Sequence, residues 1–116
     1  MERFDPKEFI KKSLENKLRD LQEIHFCVLD CIYINAKNQH AITDDDNFNP
    51  NIGQYYLPED ILIALGISGF TAQYLQICLD DLAIRGLIFN VESNPNKKWA
   101  FALTELGLQA VLTRKN

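Results

Sequence analysis

The sequence predicts a mainly α fold carrying one small β-hairpin. Through most of the chain, apolar residues recur at steps of three and four, the period of a helix buried along one face. Two short strand-like runs, "LIFNVE" at 87–92 and "KWAFALT" at 98–104, sit side by side near the C-terminus. In the second of these, Trp99, Phe101 and Leu103 share a face by period-two alternation. Between the helical parts, Asn, Asp, Gly and Pro gather in the stretch 38–56, which reads as a loop.

The whole chain is consistent with a small soluble domain. It has 116 residues, a one-domain length, of which 47% are hydrophobic and 24% charged. No apolar run approaches the roughly 20 residues that span a bilayer. The N-terminal "MERFDPKEFIKK" lacks the apolar block of a signal peptide, so a cytoplasmic location is expected. Three cysteines, none in a CxxC pair, argue against a disulfide framework. The formal net charge is −4, whereas nucleic-acid binders often carry a basic excess. Residues 1–56 hold seven Lys/Arg against ten Asp/Glu, and residues 57–116 hold five against six. The second half is thus nearly neutral, with its positive charge gathered at Lys97-Lys98 and Arg114-Lys115.

Taken in order, the first helix begins at Asp5-Pro6-Lys7-Glu8: an acceptor at N-cap, proline at the first helical position and Glu at N3. Ile10, Leu14, Leu18, Leu21, His25, Val28 and Ile32 then form one stripe, giving helix over 6–38 with a break near Leu21–Glu23. Glu8–Lys12 and Glu15–Arg19 are i,i+4 pairs on the wet side. The part from Ile24 to Ile34 is apolar on more sides and reads as the buried half. Residues 1–23 are an N-terminal helical extension suited to pairing with a second subunit, and 24–116 form the main domain. Ile52–Leu57 has room for a short strand. Pro58 opens a helix with Glu59 and Asp60 in its first turn, where acids suit the macrodipole, and Gly66 closes it. After the tight turn "GISGF", Thr71 caps a helix reaching about Arg85, with Leu75, Cys78, Leu79 and Leu82 as its core face and Gly86 as its stop. The two strands follow, joined by a turn at "SNPNK". Thr104 caps a last helix over 105–113.

Two helices joined by a short glycine-containing turn make a helix-turn-helix, and the hairpin beside them makes a wing. Arg85-Gly86-Leu87-Ile88 after Leu82, and Leu103-Thr104-Glu105-Leu106-Gly107 after the wing, stand at the spacing of a two-strand wing. On these residues the chain resembles the winged helix-turn-helix superfamily, especially small bacterial and archaeal regulators of the MarR and PadR kind. The resemblance spans Tyr56 to Leu112, with Ile24–Ile34 as the first core helix. It implies a sequence-specific regulator of transcription that binds double-stranded DNA, with helix 71–85 in the major groove and wing 90–99 on the backbone. The residues it puts forward are Thr71, Gln73, Tyr74, Gln76 and Ile77 on the helix, and Asn96, Lys97 and Lys98 on the wing. Gln can pair with adenine, and Tyr or Thr can reach phosphate. A homodimer through the N-terminal helix would set two such helices about one DNA turn apart. Asp80 and Asp81 run against the pattern, because carboxylates near phosphates repel. They motivate the alternative, an acidic winged-helix module that binds protein.

Other constellations read as structural. Cys27 and Cys31 stand i,i+4 with His25 nearby, a set that zinc or copper could use. Phe26, Val28, Leu29 and Ile32 around them favour packing instead. "TDDDNFNPN" at 43–51 lacks the Gly and terminal Glu of a calcium loop, and reads as a solvated acidic loop. Phe101 reads as core; Trp99, nearer the wing tip, could also serve as a stacking surface. No nucleophile–base arrangement and no glycine-rich phosphate loop stand out, so neither enzymatic activity nor a cofactor or metal is expected.

Overall fold

A computed structural model describes residues 5–93 and 98–115. Among the described residues, five helices and two strands run in the order α1 (Pro6–Leu18), α2 (Glu23–Asn38), α3 (Pro58–Leu65), α4 (Ala72–Ile84), β1 (Ile88–Ser93), β2 (Lys98–Leu103) and α5 (Glu105–Lys115). The expected mainly α fold with a hairpin wing is the fold observed. The predicted break in the long N-terminal helix falls at residues 19–22, where Asp20 takes a left-handed φ of 69°.

The caps read from the sequence are the ones that form. Asp5 accepts from the Lys7 amide at 3.0 Å to start α1, and Thr71 Oγ1 accepts from the Tyr74 amide at 3.3 Å to start α4. Gly86 ends α4 with a φ of 76°, which only glycine adopts without strain. Its N–H bonds the Ala83 carbonyl and the Leu87 N–H bonds the Leu82 carbonyl, each at 3.0 Å, the paired closure of a Schellman motif.

The core lies around α2, which packs against α3, α4, α5 and β2. Val28, Leu29, Ile32 and Ala36 on α2 meet Ile61 of α3, Leu75, Leu79 and Leu82 of α4, and Leu108 and Val111 of α5, all buried. Leu14 of α1 belongs to the same cluster, and Leu18 and Leu21 pack on its edge, so the second half of α1 is docked on the domain. Arg85 fastens that junction: its guanidinium donates to the carbonyls of Lys17 (2.6 Å) and Arg19 (2.5 Å), satisfying acceptors that a helix end leaves bare.

β1 and β2 pair antiparallel, Ile88 opposite Leu103 and Ser93 opposite Lys98. The strand expected at Ile52–Leu57 is reduced to a single bridge, in which Tyr56 and Phe101 exchange both backbone bonds at 3.0 and 2.9 Å. Two residues earlier, a side chain replaces the missing strand. Gln54, buried to 4% exposure, donates from Nε2 to the Leu103 carbonyl and accepts the Leu103 N–H at Oε1, both at 3.1 Å. At the wing's root, Thr104 Oγ1 accepts from the Gly107 amide (3.0 Å) and donates to the Gly86 carbonyl (2.6 Å). Gly107 is needed there because a Cβ on it would overlap the Leu87 carbonyl oxygen. The acidic loop is tied down through Asp46, which accepts the Tyr33 hydroxyl at 2.7 Å and lies 3.3 Å from Lys37 Nζ.

Candidate nucleic-acid interface

The buried side of α4 consists of Leu75, Cys78, Leu79 and Leu82. A 3.6-residue period leaves Gln73, Gln76, Ile77, Asp80 and Ile84 pointing the other way, and all five are exposed. Thr71 and Tyr74 are exposed at the start of the helix, and the Tyr74 ring stacks on Phe70 with centroids 6.3 Å apart. Of the five residues singled out from the sequence, Gln73, Gln76 and Ile77 share the open side of α4, while Thr71 caps its start and Tyr74 lies toward Phe70 and the start of α2; all five are exposed. The Thr71 oxygen accepts from Tyr74, and its hydroxyl hydrogen and second lone pair are what it can offer outward. Of the wing residues, Asn96 and Lys97 lie outside the described residues. Lys98 opens β2 in register with Ser93, and its side chain is likewise outside what is described.

The two aspartates part company. Asp81, its side chain still 46% exposed, accepts from His25 Nε2 at 3.0 Å. His25 is buried at 9% exposure, and its Nδ1 accepts the Gln22 amide at 3.1 Å, which fixes the tautomer carrying its hydrogen on Nε2. Asp81 is thus the link between α4 and the start of α2. Asp80 stays outward and accepts from Gln76 Nε2 at 2.9 Å. Sequence reasoning found the stripe position of His25 but not its partner, because nothing local in the sequence pairs positions 25 and 81.

Around this link, Ile24, Phe70, Tyr74 and Ile77 line a shallow groove of about 310 Å³ beside α4. Cys78 lies at its floor, where burial and then the charge of Asp81 push the thiol above its ordinary value, so it stays protonated. Cys27 and Cys31 are half-buried free thiols, and no group of three or more metal-ligating side chains occurs among the described residues. Arg114, one of the few cations in the second half, is engaged by α2. It lies over the Phe26 ring at 4.0 Å and within 3.6 Å of both Glu23 and Asp30. Phe101 is core at 3% exposure, whereas Trp99 stands 57% exposed on the wing.

A helix-turn-helix whose second helix has an exposed outer face, flanked by a two-strand hairpin, is a winged helix-turn-helix fold. Solved structures support that fold. The S. aureus MepR–DNA complex superposes with a TM-score of 0.62 over 94% of this chain and 75% of that one, at 17% identity. A selenomethionine derivative of a MepR mutant, from a multidrug-resistant S. aureus clinical isolate, covers 97% of this chain and 76% of that one at 18% identity, with a TM-score of 0.50. No family model and no curated protein sequence matches the chain.

Proposed function

We propose that this protein is a sequence-specific regulator of transcription that binds double-stranded DNA, with α4 in the major groove and the wing on the backbone. The observation that carries the reading is the open face of α4. Gln73, Gln76 and Ile77 lie on it, Thr71 and Tyr74 are exposed at its start, and Asp81 bonds His25. Polar groups are left toward a base edge, and one of the two carboxylates is hydrogen-bonded to the domain at the side of the helix. Asn96, Lys97 and Lys98 supply the backbone contact. The similarity to a structure solved with DNA supports the same assignment. The reading of an acidic protein-binding module rested on the net charge of −4 and on Asp80 and Asp81; the charge balance stands, while the two aspartates each bond a neighbouring group of the domain.

In this proposal the molecule acts in the cytoplasm as a homodimer without enzymatic activity. The open part of α1, where Phe9 is 59% exposed, provides the contact between subunits. Among the described residues no helix is long and apolar enough to cross a membrane. The test is a salt titration of binding to genomic fragments and to the protein's own promoter region. Binding should weaken steeply with salt, and Lys97→Glu with Lys98→Glu should abolish it. Absence of any binding at about 50 mM salt refutes the proposal. Sedimentation that shows only monomer at high concentration refutes the dimer.

A further inference from the structure

Asp80 remains to be explained. It is exposed on the side of α4 that faces DNA in the proposed reading, it repels phosphate, and the core does not need it. Its one described bond is to Gln76, from Nε2 to Oδ1 at 2.9 Å, along the i,i+4 row of the helix. A carboxylate only accepts hydrogen bonds, so only the amide nitrogen of Gln76 can face it. The carboxamide, which could otherwise lie either way round, is held in one orientation with Oε1 turned away from Asp80. Nε2 carries two hydrogens. Asp80 takes one and leaves the other to donate elsewhere.

We propose that Asp80 is a specificity-determining positioning residue: by holding the Gln76 amide one way round, it restricts the base pair read by Gln76 to one presenting adenine in the major groove. The inference rests on the DNA-binding reading above. The oriented amide offers one acceptor and one donor. Adenine offers the complement, its N6 amino group as donor and N7 as acceptor. Guanine offers two acceptors, N7 and O6, and meets Oε1 with one of them. A free glutamine could turn both amide hydrogens toward those two acceptors; one held by Asp80 has a single hydrogen left to offer. The negative charge therefore has two separable effects. It weakens binding to every duplex by repelling phosphate, and it sharpens discrimination at one base pair.

These effects have different signatures. Binding-site selection from random duplexes, followed by affinity measurements on single-base variants, should be run with the full-length protein and with Asp80→Ala, Gln76→Ala and the double substitution. The native protein should prefer A over G at one position by about tenfold, the scale of one good side chain–base pairing. Asp80→Ala should tighten binding to all duplexes while reducing that one preference to about threefold or less. Gln76→Ala should lose the preference at the same position, and adding Asp80→Ala to it should change that position no further. The inference is overturned if Asp80→Ala shifts all affinities equally and leaves every base preference intact. It is also overturned if the position that relaxes is a preferred cytosine untouched by Gln76→Ala, since Asp80 would then read the base itself. A native protein that binds duplexes with no preferred sequence overturns it too. A native protein that binds no duplex refutes instead the DNA-binding reading on which it rests.

Discussion

Replacing Gln54 by alanine removes the side chain that stands in for a third wing strand. Leu103 lies opposite Ile88 in the hairpin, and it is the next residue, Thr104, whose N–H reaches β1's side at the Leu87 carbonyl (3.2 Å). The N–H and C=O of Leu103 therefore point away from β1, and Gln54 is their partner. Leu103 is fully buried, so both groups lose their bond in a dry place. Leaving a buried donor or acceptor unpaired costs about 1–3 kcal/mol each. Gln54→Ala should thus lower stability by about 2–6 kcal/mol, seen in urea unfolding as a fall in midpoint at constant slope. Gln54→Glu provides a second arm. A protonated carboxyl can donate to the Leu103 carbonyl and accept from its N–H as the amide does, whereas a carboxylate sets oxygen against oxygen. Its folded pKa must then rise above the ordinary glutamate value of about 4.3. A raised folded pKa means that the native state keeps its proton longer than the unfolded state, so stability is greatest below about pH 4 and falls as pH rises. If Gln54→Ala costs less than about 1 kcal/mol, or if Gln54→Glu is no more stable in acid relative to the parent, the side chain is not replacing a strand.

Three further outcomes follow from the same geometry. Gly107→Ala should destabilise the fold by about 2 kcal/mol or more in thermal melts, because the added Cβ meets a backbone carbonyl that cannot swing aside. Arg85→Ala should cost about 1 kcal/mol and speed amide exchange at the end of α1, at Arg19 and Leu21, by uncapping its last carbonyls; unchanged exchange there would count against the clasp. The Cys31 thiol is held above its ordinary value by burial, by Asp30 and by Cys27. At pH 8 it should react with iodoacetamide more slowly than an open thiol, and Asp30→Asn should speed it. The stability it contributes is complete below the ordinary thiol value of 9.0 and is lost as pH rises through its higher folded value.

Where structure depends on local rules, the sequence was enough. Asp5-Pro6, Thr71 and Gly86 each act on their own helix within a few residues, and the start of α1 and both ends of α4 followed from them. The core stripe Leu75, Cys78, Leu79 and Leu82 followed from period alone. The features that escaped notice are bonds across long stretches of chain. Gln54 reaches 49 residues to Leu103, His25 reaches 56 to Asp81, and Arg85 reaches back 68 to Lys17. Such pairs leave no spacing to detect, and a glutamine in an Asn- and Gly-rich stretch looks solvated until its partner is seen. The same limit applied to the candidate interface. Helical period placed Gln73, Gln76 and Ile77 on the open side, but the aspartates beside them looked alike in sequence and proved to have different partners.

The bonds that close the fold gather at the end of α4. Arg85 reaches α1, the Gly86 carbonyl takes the Thr104 hydroxyl, and Leu87 meets the start of α5. The outward residues of α4, from Gln73 to Asp80, take no part in that closure. The chain is therefore divided into a frame that tolerates little change and an exposed face of α4, the proposed reading face, that can be rewritten almost without structural penalty. A scaffold of this kind lends itself to retargeting: libraries confined to positions 73, 76, 77 and 80 should yield folded proteins at high frequency, differing in what they recognise and scarcely in how stable they are.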